Sequence, residues 1–352
     1  MTDIVHVSQP ELQELTRSAL EHVGVPSADA ATTADILVTA DMQGIDTYGT
    51  RRLGPYVECI RNGLMKPCPD IRVKRKTPGV AVLDGDDGLG PVVGLKALNL
   101  AMDMAREVGI AYVGVRNSNH FAAIAPYATI ACGRNMVSFI GSNSFPTMPP
   151  WRSHEVRHGN NPFCIAAPRR GHPPFIIDIA MSIVSRGRIR NHLERGETIP
   201  SGWAMDTQGQ PTTDPREALK GYVLPIGNHK GYGLALAVDI LAGVLTGGAF
   251  ATDVKSLFQQ REDPQRVSHF FILIDISKVI DLDAYFDQME VLCTLMKHTE
   301  PFDPDLPVLL PGEPEAMAVE ENTKSGIPMD AGWIETVRTL AQGAERVSVP
   351  DY

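Results

Sequence analysis

Apolar and polar positions divide this chain into three textures. Over roughly the first 70 residues the pattern is helical. Ser8-Gln9-Pro10-Glu11 has the form of a capping box, an N-cap serine with a glutamate three positions on, and opens a first helix. A second is expected from Ser27 through Ala30 to Met42, where apolar residues keep helical spacing up to the stop at Gly44, and a third from near Gly49 to Gly63. From about Val73 to Phe271 short apolar, β-prone runs alternate with helices. Strands are expected at 79–83, 111–115, 137–140, 164–167, 175–178 and 269–274, and helices at 92–108, 123–132, 179–194 and 231–243. The tail adds an amphipathic helix at 282–298, a proline-rich crossing at 301–314 and a last helix from about Asp330 to Ala344. The coarse class is α/β or α+β.

With 352 residues the chain can bury a large core and divide into two domains. Its 43% hydrophobic and 21% charged content is ordinary for a globular protein. A net charge of −10 argues against a general nucleic-acid or anionic-membrane surface, so a small anionic substrate would need a local basic pocket. The five cysteines are scattered, odd in number and form no C-x-x-C pair, which fits a reducing cytoplasm. No signal-peptide core opens the chain, and the apolar segment 231–245 contains Asp239 and is too short to span a bilayer.

Asn117-Ser118-Asn119-His120-Phe121 follows the apolar run 110–115, so His120 is expected just past the C-terminal end of a buried strand. Imidazole there can exchange a proton near neutral pH, because its unperturbed pKa is roughly 6.5. Asp46-Thr47-Tyr48-Gly49-Thr50-Arg51-Arg52-Leu53 puts two arginines at a helix start, where a carboxylate meets both a guanidinium fork and free N–H groups. Tyr56 lies four residues after Arg52 and can share its helix face. Asn228-His229-Lys230-Gly231-Tyr232-Gly233 precedes an apolar helix, a setting that suits a phosphate or a simple turn equally. Gly88-Leu89-Gly90-Pro91-Val92-Val93-Gly94 sits between a strand and a helix, as a dinucleotide loop would. Its spacing is G-x-G-x-x-x-G, however, and Asp84, Asp86 and Asp87 crowd it with negative charge, so it reads as a structural turn. His154-Glu155-Val156-Arg157-His158 matches H-E-x-x-H, but flanking Pro149-Pro150 and Gly159-Asn160-Asn161-Pro162 leave little room for the helix that zinc chemistry requires. No metal is expected.

Taken in order, these pieces resemble the malate/L-lactate dehydrogenase family of the second type, whose members include ureidoglycolate, sulfolactate and diketogulonate dehydrogenases and cyclic imino-acid reductases. The likeness spans nearly the whole chain and also takes in Gly44-Ile45-Asp46, Asp178-Ile179-Ala180-Met181-Ser182, Gly202-Trp203-Ala204 and Pro311-Gly312-Glu313-Pro314-Glu315. It implies a non-Rossmann, mixed and largely antiparallel sheet that carries the nucleotide, here residues 73–299. It also implies a helical domain built from both termini, residues 1–72 joined by 300–352, and a homodimer. It implies hydride transfer between NAD or NADP and the C2 carbon of a small 2-oxo or 2-hydroxy acid. By position, His120 resembles the acid/base histidine and Arg52 the arginine that holds the substrate carboxylate. Ser142, Ser144, Asp178, Ile179, Ala180, His229, Lys230, Gly312 and Glu313 resemble cofactor contacts.

The chain departs from the family at Thr47-Tyr48-Gly49, where Ser-His-Gly is usual, and at Ala122, where glycine usually follows His-Phe. Tyrosine has a reference pKa near 10 and makes a poor base at pH 7, so Tyr48 is read as a hydrogen-bonding orienter for His120. Tyr56 is read as assisting Arg52. Two further readings stay open: an NADPH-dependent reductase of cyclic or N-alkyl imino acids, and a catalytically silent nucleotide-binding homologue.

Overall fold

The computed structural model describes residues 3–258 and 262–344; residues 1–2, 259–261 and 345–352 of the two expected domains lie outside that description. The chain opens with β1 (Ile4–Val7), α1 (Gln9–Glu21) and α2 (Ser27–Met42), then two tight single turns at 46–48 and 50–52, and α3 (Leu53–Arg61). Ser8 caps α1, its hydroxyl accepting the Glu11 N–H at 3.3 Å. Next come β2 (Arg72–Thr77), β3 (Val80–Asp84), α4 (Gly90–Val108), β4 (Ile110–Ser118), α5 (Ala125–Cys132), β5 (Met136–Ser142), β6 (Phe163–Ala167) and β7 (Phe175–Ile179). The segment after β7 contains α6 (Arg186–Glu194), a small sheet of β8 (Ala204–Met205), β9 (Pro211–Thr212) and β10 (Tyr222–Val223), and between β9 and β10 a short α7 (Pro215–Lys220). Then follow α8 (His229–Asp239), extended by a wide turn to Val244, β11 (Val267–Asp275), α9 (Leu282–Lys297), α10 (Glu313–Ser325), β12 (Ile327–Asp330) and α11 (Ala331–Ala341).

Seven strands form one central sheet in the order β2-β3-β4-β11-β5-β6-β7. The β3–β4 pair is parallel, with α4 as its crossover, and the other five pairs are antiparallel. This order decides where the chemistry can sit. Because β4 and β5 both run against β11, and β7 lies two antiparallel steps from β5, all three strands end at the same edge of the sheet. The segments after Ser118, Ser142 and Ile179 therefore emerge side by side, next to the start of β11.

The faces of the sheet follow the period-2 alternation of side chains. Phe271 of β11 joins the main core with α4 and α5, and Phe270 points the other way into a smaller cluster with Val238 and Ala242. The two ends of the chain meet: β1 pairs antiparallel with β12, and Glu11 of α1 bridges Arg338 of α11 at 3.0 Å. Among the described residues no helix is long and apolar enough to cross a membrane.

Several expected boundaries are corrected. The helix expected over 179–194 begins only at Arg186, because Ile179 closes β7 and Ser185 is the N-cap, accepting the Arg188 N–H at 3.1 Å. The strands β1, β2 and β12 and the helix α10 were not expected. β2 is an exposed strand of the sequence RVKRKT at the sheet edge, without alternation to betray it. The proline-rich crossing was expected to run to Pro314, yet Pro314 stands in the first turn of α10, where its missing N–H is harmless.

Candidate functional site

The glycine run at 88–94 turns out to be the seat of the histidine loop. Asn119 donates through Nδ2 to the Asp87 and Gly88 carbonyls, both at 2.9 Å. At Gly90, the first residue of α4, a Cβ would overlap the His120 carbonyl. Only glycine lets α4 begin that close to the loop.

His120 is held on every side but one. Its N–H donates to Gln265 Oε1 at 3.0 Å. The Tyr56 hydroxyl lies 2.7 Å from Nδ1 and 2.9 Å from the His120 carbonyl, and the Ala122 N–H approaches Nδ1 at 3.3 Å. Nδ1 is thus occupied, and Nε2 is the nitrogen left for chemistry. Burial, then the Arg52 guanidinium and His269, hold the imidazole well below its usual pKa, so it is neutral at pH 7. Ala122 sits at φ +69°, a left-handed conformation that glycine adopts without strain and alanine does not.

Tyr48 lies parallel to the His120 ring, 7° between planes and 6.0 Å between centroids. The Arg52 guanidinium stands 5.5 Å from the Tyr48 centroid and 5.0 Å from that of Phe258, with only 8% of the residue exposed. Burial raises the Tyr48 hydroxyl above its ordinary pKa, against the Arg52 charge, so it stays a proton-bearing donor. The turn carrying both side chains is anchored by buried Asp41 of α2, which accepts the Thr50 N–H at 2.8 Å. A Cβ at Gly49 would collide with that carboxylate, which burial raises to about 7. Tyr56, expected beside Arg52, is fully buried, and its hydroxyl lies against His120 Nδ1.

Tyr48, Arg52 and His120 line one cavity of about 120 Å³ together with Ser142, Ser144 and Asn160. Ser144 donates to Asn160 Oδ1 at 2.8 Å. Behind the wall, His269 links Ser142 (2.9 Å from Nδ1) to Ser118 (3.0 Å from Nε2) and stacks on Phe121 at 4.0 Å. Burial pushes His269 down to about 3, so this link is neutral. In the sequence His269 showed only as the first residue of a strand; the lone histidine in an apolar run was the signal.

Asp178 accepts the Ile124 and Ala125 N–H groups at 3.0 and 2.8 Å, so it caps α5 and pins the end of the histidine loop; burial raises it to about 6. Ile179 and Ala180 line an adjoining cleft of about 880 Å³ with Thr47, Arg188, Arg195 and Trp203. Gly312, at φ +93°, packs where a Cβ would come within 2.8 Å of the Pro174 carbonyl, and lines a hollow shared with Asp178. The Glu313 carboxylate points elsewhere, to Lys297 at 2.8 Å, Arg169 at 3.4 Å and the Leu310 N–H at 3.0 Å. His229 and Lys230 are exposed on the first turn of α8, just beyond Ile226 of the large cleft. The segment 154–158 is not helical, and both His158 ring nitrogens face carbonyl oxygens, at 2.9 and 3.2 Å.

The chain is similar to known proteins over nearly its whole length. The sequence pattern of the malate/L-lactate dehydrogenase family matches residues 7–338. A malate dehydrogenase from Pyrococcus abyssi is 36% identical over 346 residues, covering 96% of this chain and 94% of the relative. An L-sulfolactate dehydrogenase from Methanocaldococcus jannaschii is 37% identical, covering 90% of each. The solved malate dehydrogenase from Pyrococcus horikoshii OT3 superposes with a TM-score of 0.88 at 34% identity, covering 97% of each chain. The chain belongs to the malate/L-lactate dehydrogenase family and is an oxidoreductase of hydroxy and oxo acids that uses NAD or NADP.

Proposed function

We propose that the reaction is R–CO–COO⁻ + NAD(P)H + H⁺ ⇌ R–CHOH–COO⁻ + NAD(P)⁺, on a small acid resembling malate or lactate. The observation that carries this is the shared cavity of Arg52, Tyr48 and His120 beside a cleft large enough for a dinucleotide. The cleft fits that cofactor chemically. Arg188 and Arg195 offer charge to a pyrophosphate, and Asp178 to Ala180 offer backbone and a carboxylate to a ribose. Gly312 brings bare backbone to the neighbouring hollow, while exposed His229 and Lys230 extend the basic rim. When bound, the nicotinamide supplies or accepts the hydride at C2.

The chain's own groups position the acid and move a proton. Arg52 holds the carboxylate and thereby aims the C2 carbon. His120 Nε2 gives the carbonyl oxygen its proton in reduction and removes it in oxidation. Tyr48, still protonated, donates to the same oxygen or keeps the imidazole plane in line, and Tyr56 fixes the imidazole from behind. We assign residues 73–299 to a non-Rossmann nucleotide domain and the paired termini to a helical domain, place the protein in the cytoplasm on the strength of its free cysteines, and expect a homodimer.

The test is a spectrophotometric screen of 2-oxo and cyclic imino acids with NADH and NADPH. Oxidation of reduced cofactor by 2-oxo acids is expected. Turnover of imino acids alone would transfer the assignment to imine reduction, and cofactor binding with no turnover would make the chain a silent homologue.

A further inference from the structure

The two arms of the cavity come from distant parts of the chain, His120 after β4 and Arg52 before α3, and one side chain touches what supports both. Gln265 stands two residues before β11, after Pro264 and ahead of Arg266, whose left-handed φ of +55° turns the chain there. A register shift between Val267 and His269 sets Val267 opposite Ser118, the last residue of β4 before the histidine loop. Gln265 lines the cavity with only 6% of the residue exposed. Its Oε1 accepts the His120 N–H at 3.0 Å, and its Nε2 donates to the Lys255 carbonyl at 3.3 Å. The Lys255 N–H returns to the Gln265 carbonyl at 3.0 Å, so residues 255 and 265 are bonded to each other twice. From there the segment 255–258 runs along the cavity. Leu257 is buried in the main core, its carbonyl 4.0 Å from Cys59 Sγ of α3, and Phe258 covers the Arg52 guanidinium at 5.0 Å.

We infer that Gln265 is a positioning residue that couples the two arms: its oxygen fixes the His120 loop, and its nitrogen holds the segment that seats Phe258 on Arg52. The inference rests on the hydride-transfer reading and adds a residue to its machinery. The partners leave little choice of side chain. A backbone N–H needs an acceptor and a carbonyl needs a donor, so one planar group must present both. Glutamate supplies only acceptors, lysine only donors, leucine neither, and asparagine is a methylene shorter. The imidazole and the guanidinium are thus set relative to each other through a single amide, the kind of support that precise placement of reacting groups requires.

Steady-state reduction of oxaloacetate and pyruvate by NADH and NADPH would compare the full chain with its Gln265→Leu and Gln265→Glu variants. Gln265→Leu is expected to lower kcat by ~100-fold and to raise KM for the 2-oxo acid by ~10-fold. Leucine adds no charge, so the change in KM reports a loosened Arg52. Gln265→Glu keeps the acceptor for the His120 N–H but sets an oxygen against the Lys255 carbonyl. Its kcat is expected to return to within ~10-fold of wild type while KM stays raised. A glutamate variant no faster than the leucine variant, or a wild-type KM in either, would overturn the assignment. The KM of Gln265→Glu carries the test if the leucine variant does not fold. Titration of the His120 imidazole by NMR, in the full chain labelled with nitrogen-15 histidine and assigned against His120→Asn, needs no turnover. Tyr48, Arg52 and Tyr56 face this ring from the segment 48–56, and His269 faces it from β11. Loosening the loop in Gln265→Leu admits water to the ring, and its midpoint is expected to rise toward 6.5. That rise supports the positioning role even if the reaction reading fails, and an unmoved midpoint rejects it.

Discussion

At the scale of residues, the proposed site pairs an imidazole kept neutral with a buried guanidinium. The low pKa of His120 has a directional consequence. Oxidation of a 2-hydroxy acid needs the neutral base, which persists below pH 6.5 because burial and Arg52 disfavour the imidazolium. Reduction needs the imidazolium, whose population already falls with rising pH across the neutral range. The expected kcat/KM profile for oxidation is therefore flat through pH 7 and drops only well below 6.5, whereas that for reduction declines by about tenfold per pH unit around neutrality. Rates in both directions between pH 5 and 9 would check this; an oxidation profile with its midpoint at or above 6.5 would place the working base elsewhere. Tyr48 does not alter this expectation, since its raised pKa keeps it protonated throughout the range.

At the scale of elements, the precision of the site comes from parts that look unremarkable in sequence. The start of α4 bears on the His120 carbonyl through Gly90, Asp178 of β7 caps α5, and Asp41 of α2 anchors the turn bearing Arg52. Gly90→Ala would drive its Cβ into the His120 and Asn119 backbone, so the loop must give way. We expect kcat/KM to fall by about 100-fold, the penalty typical of a misplacement near 1 Å, with stability lowered by about 1–3 kcal/mol. Kinetics together with denaturant titration measure both; wild-type kinetics in this variant would show that the seat does not position the histidine. His120 and Arg52 could be proposed from the sequence because each stands where a strand or a helix signal starts or stops, and both line one cavity. Their supports could not, because Asp41, Gly90 and His269 acquire their roles only from neighbours brought in from other elements.

At the scale of the whole molecule, strand order does the gathering. Single helices and most central strands were visible as periodicity, but the pairing of β4 and β5 on either side of β11, which brings residues near 120, 142 and 178 to one edge, is a long-range property that spacing does not encode. The same holds for β1 and β12, four-residue strands too short to announce themselves and joined across almost the full length of the chain. In this arrangement one end of the sheet carries the small cavity and the large cleft side by side, so that a reduced nicotinamide and a 2-oxo acid can meet. The direct test is to supply NADH or NADPH deuterated at the transferable C4 position together with oxaloacetate and to analyse the product by mass spectrometry and NMR. One deuterium bonded to C2 of the hydroxy acid is the predicted result; product without deuterium at C2 would contradict the account.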